Sequence, residues 1–403
     1  MQLVQDASKR CRGLTQTRHC RSGHAIYIRS HSTKSSMFKR IILIALALAG
    51  VPLLASAEPH KTENVFLITI DGLRWQEVFT GMEEQLATRE FGVWDTNRLR
   101  SWFWRETPED RRQVLMPFFW NKIAKQGQLF GNGNKGSVSM VTNGKKFTYP
   151  GFNEIFTGSP DDRIDKNEKR YNPNVSVLEW LHNKPEFAGR VVGFANWEVH
   201  PYILNTQRSG IPVWTGFDTN FPGAPGSRLE LVQQLQKDTI KIWYDMTFDS
   251  FYFHAADEYI KEKQPRLVWL ALSETDEWAH NGNYEHYLQA ANNADRYIGK
   301  LWNTVQSLPA YKDKTTFIIA CDHGRGSGAE WKNHGGNVDG AEKTWLAVIG
   351  PDTRPLGERT NIPTVTHSQI AATLAALLGE DYHAAVPKSG APIPDLLPEG
   401  TTK

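Results

Sequence analysis

The chain has 403 residues, with 46 Lys and Arg against 44 Asp and Glu and a formal net charge of +2. Residues 1–57 hold nine of the basic side chains and one acidic one, so the remainder has 37 basic and 43 acidic groups and a net charge of −6. That balance excludes a basic binder of nucleic-acid duplexes, and the length suffices for a large α/β domain with an ample core.

Met37-Phe38-Lys39-Arg40 is a short basic start, Ile41 to Leu54 is an apolar run, and Ala55-Ser56-Ala57 is a small-residue cleavage site. Residues 37–57 therefore read as a secretory signal peptide, too short for a comfortable membrane span, with an uncleaved anchor as the alternative. Residues 1–36 are basic and polar and read as a mis-called or disordered leader. The expected product is exported, periplasmic or secreted, with no stable membrane span once the signal is cleaved. Cys11 and Cys20 fall in the leader, leaving Cys321 alone, so export does not imply a disulfide framework.

From residue 58 to 403 the pattern predicts a single domain. Asn64 to Ile70 is a near-continuous apolar run of the kind that forms a strand buried on both faces. Similar runs are Arg190 to Ala195, Arg266 to Leu272, Thr316 to Cys321 and Thr344 to Gly350. Helical spacing recurs between them, over Met116–Lys125, Val175–Leu181, Leu229–Tyr244, Tyr287–Val305 and Thr366–Leu378. Alternating strands and helices predict a doubly wound, mostly parallel sheet sandwiched by helices. Residues 81–112 and 201–227 break the pattern and read as insertions forming a cap or lid. The Pro-rich tail from Val386 reads as loosely packed.

Acids and imidazoles gather where the strands end. Asp71 follows the first run; Asp276 and His280 follow Arg266–Leu272; Asp322 and His323 follow Thr316–Cys321, and His334 comes after them. Each piece alone is ordinary, since an Asp-Gly after a strand is usually a turn. Open α/β sheets, however, bind ligands beyond the carboxyl ends of their strands, and mixed Asp/His sets suit zinc and tolerate manganese or iron. Thr148, in Lys146-Phe147-Thr148-Tyr149-Pro150-Gly151, precedes the helical spacing of Phe152, Ile155 and Phe156. A hydroxyl there is either an N-cap or a nucleophile at a helix end that favours anions.

The order Asp71, Thr148-Tyr149-Pro150-Gly151, Asp276…His280, Asp322-His323-Gly324 and His334 resembles the alkaline phosphatase superfamily, over roughly Asn64 to Gly379. It is most similar to the nucleotide pyrophosphatase/phosphodiesterase-like branch. The resemblance implies one divalent metal held by Asp71, Thr148, Asp322 and His323, and a second by Asp276, His280 and His334, with His367 as a substitute for His334. It implies a covalent phospho-threonine at Thr148, a small-molecule phosphate ester as substrate, and two metal ions, zinc in the first place. Lys146, Asn172 and Arg325 are candidate phosphate contacts. Gly151 and Arg325 depart from that branch, which usually has Asn and Met there, so a nucleotide preference does not follow. The sulfatase signature C/S-x-P-x-R is missing at Thr148-Tyr149-Pro150-Gly151-Phe152. A phosphoryl or phosphoethanolamine transferase, a sulfatase-like hydrolase and a non-catalytic metal-containing envelope protein are the alternatives. Trp75, Trp278 and Trp331 each lie near a proposed ligand and read as core first, as a stacking wall second.

Overall fold

All seven residues of β1 (Asn64–Ile70) are buried, because the strand runs through the middle of a sheet covered on both faces. The computed structural model describes residues 60–218 and 226–398; the expected leader and signal peptide lie outside them. In chain order the other strands are β2 (Gln128–Phe130), β3 (Ser139–Met140), β4 (Val191–Phe194), β5 (Val213–Trp214) and β6 (Leu267–Leu272). They are followed by β7 (Thr315–Ala320), β8 (Lys343–Thr344), β9 (Leu346–Ile349), β10 (Gly357–Glu358) and β11 (Val365–Thr366).

Eight of them form one sheet in the order β10-β2-β9-β7-β1-β6-β4-β5, and β11, β3 and β8 form a small second sheet. The five strands from β7 to β5 are parallel; β9 runs antiparallel to both β7 and β2. This is the mostly parallel α/β sheet the sequence predicts. The expected strand Thr344–Gly350 is broken in two, because Trp345 turns its ring into the core and donates Nε1–H to the Leu73 carbonyl at 2.8 Å.

Alternation along β1 sorts the core. Phe66, Ile68 and Ile70 pack beneath helices that include Tyr284–Ser307 and Asp249–Lys263, whereas Val65 and Leu67 face the Thr148–Thr157, Val177–His182 and Ile370–Leu377 helices. Residues 81–112 fold into short helices and connecting turns whose Leu86, Val93, Leu99 and Phe103 join the first of these cores, with Arg98 on Glu285 at 2.7 Å. Residues 201–218 supply β5 at the sheet edge, and Tyr252 bonds the Gly216 carbonyl at 2.9 Å.

Two sequence expectations fail for local reasons. The helix expected over Leu229–Tyr244 is Arg228–Asp238 and ends before Thr239. Beyond it the β-branched and aromatic residues Ile240, Ile242 and Tyr244 are exposed while Trp243 is buried, in a segment without helix that bends at residues 243–245. The tail is not loose either, since Ile393, Leu396 and Leu397 are buried in the core. Among the described residues no helix is long and apolar enough to cross a membrane.

Candidate metal centre

β7, β1 and β6 lie side by side and parallel, in a register that pairs Ile70 with Leu272 and Thr69 with Ala320. Their carboxyl ends therefore deliver Asp71, Ser273 to Asp276, and Asp322-His323 to one place. The Glu274–His280 helix starts directly after β6, and its four-residue spacing puts Asp276 and His280 on one face, with Nε2 of His280 3.0 Å from Asp276 Oδ2.

Thr148 comes from the opposite side. It is the first residue of the Thr148–Thr157 helix, whose cap position is Phe147, and no side chain caps that helix. The Tyr149 N–H is satisfied by Asn167 Oδ1 at 2.9 Å, so the Thr148 hydroxyl points away from its own helix, 3.5 Å from His323 Nε2. The approach depends on Gly151, where an added Cβ would stand 2.4 Å from the Asp322 carbonyl oxygen. The departure from Asn at this position thus has a steric reason.

His323 Nε2 is a common point for the first expected ligand set. It lies 3.2 Å from Asp71 Oδ1, 3.6 Å from Asp322 Oδ2 and 3.5 Å from Thr148 Oγ1. Its Nδ1 bonds the Gly324 carbonyl at 3.0 Å, which leaves Nε2 as the lone-pair nitrogen facing the acids. In the second set His334 Nε2 is 2.9 Å from His280 Nε2 and 3.9 Å from Asp276 Oδ1, and His334 Nδ1 donates to the Lys146 carbonyl at 3.2 Å. Asp276 also reaches the first set, with Oδ1 3.6 Å from His323 Nε2. It stands between the two groups, where the resemblance implies membership of one. His367 is buried beside His323 and Glu154, outside both clusters.

These residues fit divalent cations. Four donors about 2.0–2.2 Å from a tetrahedral zinc stand roughly 3.3–3.6 Å apart, and the separations above bracket that range. Asp71 Oδ1 and Asp322 Oδ2 are buried without any hydrogen-bond partner. Burial first, then repulsion from neighbouring carboxylates, pushes Asp71 and Asp322 well above the usual carboxylate range. Burial and the neighbouring His323 push His334 down to about 2, keeping its imidazole neutral, as a ligand must be. Asp276 is held low in spite of its burial by Arg325 and His280.

The three candidate phosphate contacts do not reach the centre as expected. Asn172 is buried, with its amide on Asn153 Oδ1 at 3.1 Å and its Oδ1 taking the Asn174 N–H at 2.9 Å; it braces the Thr148 helix. Lys146 pairs with Glu342 at 2.9 Å. Arg325 is buried behind the site, donating to Asp276 Oδ1, to the Asp276 carbonyl at 3.1 Å and to the Gly72 carbonyl at 3.1 Å. Its role is to fix Asp276. Trp331 is core, packed on Tyr284 and Tyr287, while Trp278 packs on Trp243.

In front of Thr148 lies a cleft of about 210 Å³. Beyond the ligands it is walled by Asn167, Trp197, Asp245, Met246, Ser273 and Glu277. Sequence reading missed all six. Glu277 alone left a signal, as the neighbour of Asp276 on a helix start. Burial, with the charge of Asp276, raises Glu277 to about 7.

Residues 213–379 match the model of the metalloenzyme superfamily. That segment contains Asp276, His280, Asp322, His323 and His334, and the sheet brings Asp71 and Thr148 to them from outside it. The fold is shared with alkaline phosphatase PafA, at 12% identity and a TM-score of 0.53 over 85% of this chain and 100% of that one. It is also shared with the lipoteichoic acid synthase LtaP from Listeria monocytogenes, at 12% identity and a TM-score of 0.51, over 81% and 76% of the two chains. The phosphonate monoester hydrolase SpPMH from Silicibacter pomeroyi matches at 14% identity and a TM-score of 0.50, over 82% and 76%. No curated protein sequence matches the chain.

Proposed function

We propose that this chain is an exported hydrolase of phosphate esters, favouring diesters, that works with two divalent metal ions and a covalent phospho-threonine at Thr148. The observation that supports it best is the meeting of Thr148 Oγ1, Asp71 and Asp322 around His323 Nε2, beside the Asp276, His280 and His334 cluster. Asp71, Thr148, Asp322 and His323 would hold one ion, and Asp276, His280 and His334 the other. Bound cations lower the pKa of a coordinated hydroxyl and offset charge on phosphoryl oxygens.

The chain's own residues do the rest. Thr148 Oγ attacks phosphorus as the bond to the leaving alcohol breaks, its proton ending on that alcohol; a monoester leaves a threonyl phosphate and a diester a threonyl phosphodiester. The amino end of the Thr148–Thr157 helix faces the transferred group with the positive end of its dipole. Arg325 and the backbone around Gly72 hold Asp276 and Asp322 in place, the latter through the Gly72 N–H at 3.1 Å. Water then attacks phosphorus and the bond to Thr148 Oγ breaks, so that a diester yields the phosphate monoester, a monoester yields phosphate, and the hydroxyl is restored. Without C/S-x-P-x-R no residue here can become the sulfatase nucleophile, which favours phosphate over sulfate.

Zinc-loaded protein should hydrolyse both bis-p-nitrophenyl phosphate and p-nitrophenyl phosphate, the diester with the higher kcat/KM. Two bound metals with turnover of neither ester would instead indicate a metal-containing binding protein.

A further inference from the structure

The loop that leads into Thr148 is held by a buried carboxylate that the proposed chemistry does not use. Glu154 lies within the Thr148–Thr157 helix, is fully buried, and turns back towards the loop before that helix. Its two oxygens accept from the Thr142 N–H and hydroxyl, the Asn143 N–H and side-chain amide, and the Ser368 hydroxyl, at 2.7 to 3.0 Å. A buried carboxyl group is costly without partners, and a set this complete ties Thr142 and Asn143 firmly to the helix.

Asn143 carries the constraint forward. Its Oδ1 accepts the Lys146 N–H at 2.9 Å, and Lys146 stands in the left-handed region at φ 52°, which a lysine rarely adopts. That turn aims the Lys146 carbonyl at His334, whose Nδ1 donates to it at 3.2 Å. Nε2 of His334 is then the lone-pair nitrogen, facing His280 and Asp276. Thr148 follows two residues on. A strained backbone thus links one buried carboxylate to a proposed metal ligand.

Resting on the two-metal reading, we infer that Glu154 is a positioning residue for the second cation: it holds the Thr142–Phe147 loop in the shape that presents the Lys146 carbonyl to His334. Lys146 serves through its backbone, its ammonium being paired with Glu342 at 2.9 Å. With the loop released, Lys146 relaxes to an ordinary φ, its carbonyl turns away, and His334 loses the acceptor that fixes its ring and tautomer. Three of the four ligands expected for the first cation, Asp71, Asp322 and His323, follow β1 and β7 instead, so that ion is largely independent of the loop.

Competition with a chromophoric chelator measures zinc affinity at both positions, and His334→Ala marks which ion is the second. Glu154→Gln should weaken that ion about 10–100-fold while the first keeps its wild-type affinity. Lys146→Gly keeps the carbonyl and takes the left-handed backbone freely, so adding it to Glu154→Gln should restore at least about fivefold. A packing role alone gives no such rescue. If Glu154→Gln does not fold, Asn143→Ala, which removes the acceptor of the Lys146 N–H, should show the same selective loss. Unchanged second-ion affinity in a folded variant, equal weakening of both ions, or no rescue overturns the inference. Ester turnover is followed in parallel. Selective loss in a chain that hydrolyses no phosphate ester sustains the positioning role and sinks the hydrolase reading, whereas turnover with unselective loss does the reverse.

Discussion

Thr148 opens a helix without capping it, and the two readings of its hydroxyl that the sequence left open are separated by that geometry. With the Tyr149 N–H on Asn167 and no side-chain cap, the oxygen is left to face His323. Thr148→Ala should lower kcat by at least about 10³-fold while two metals per chain remain by elemental analysis; wild-type turnover would remove Thr148 from the chemistry. Residue type alone misled elsewhere. Asn172 and Arg325 have the right chemistry for phosphate, but their burial partners decide their roles, and those partners come from segments distant in sequence. His200 is a different case: its imidazole is buried with neither ring nitrogen bonded, edge-on to Phe152, Trp197 and Trp269. Burial lowers it to about 3 from its ordinary 6.5. A depressed folded value means that stability is present above pH 6.5 and is lost as the pH falls towards 3. His200→Phe should flatten that loss, the variant gaining about 2 kcal/mol on the wild type between pH 7 and pH 5 in denaturant titrations. Parallel stability profiles for the two proteins would contradict a neutral buried His200.

At the scale of elements, the strands were legible because β1, β6 and β7 are buried on both faces and so read as unbroken apolar runs. The acids at their ends were legible for the same reason, since each marks where an apolar run stops. Less visible were elements whose identity depends on neighbours. The Glu274–His280 helix is seven residues, and the expected strand Thr344–Gly350 is split at Trp345 into β8 and β9. The irregular segment after Asp238 that brings Asp245 to the cleft has helical-looking composition, but the helix stops at Asp238. The contact that matters most between elements is that of Gly151 with the end of β7. A methyl there would meet the Asp322 carbonyl oxygen at 2.4 Å and push the Thr148 helix outward. Gly151→Ala should therefore cost about 10²-fold in kcat, with about 1–3 kcal/mol of stability from overpacking. Retained kcat in a folded variant would show that the Thr148 position tolerates a shift of the helix.

Across the whole molecule, the sheet gathers buried carboxylates from three strand ends, and the described residues offer them one guanidinium, Arg325, at direct contact. Asp71 and Asp322 each keep an oxygen with no partner, a costly arrangement unless cations complete it. Metal is thus tied to the fold as well as to the chemistry, because ligands from β1, β6, β7 and the Thr148 helix would be clamped by it. The overall architecture was readable from alternation of strands and helices. The cleft wall of Asn167, Trp197, Asp245 and Ser273 was not, because no motif or spacing links residues that only the sheet's edge brings together. The most direct measurement is an anomalous difference map at the zinc edge from crystals of the metal-loaded protein. Two peaks about 4 Å apart are predicted, one among Asp71, Thr148, Asp322 and His323, the other among Asp276, His280 and His334. A single peak, or two that leave Thr148 unliganded, would contradict the account.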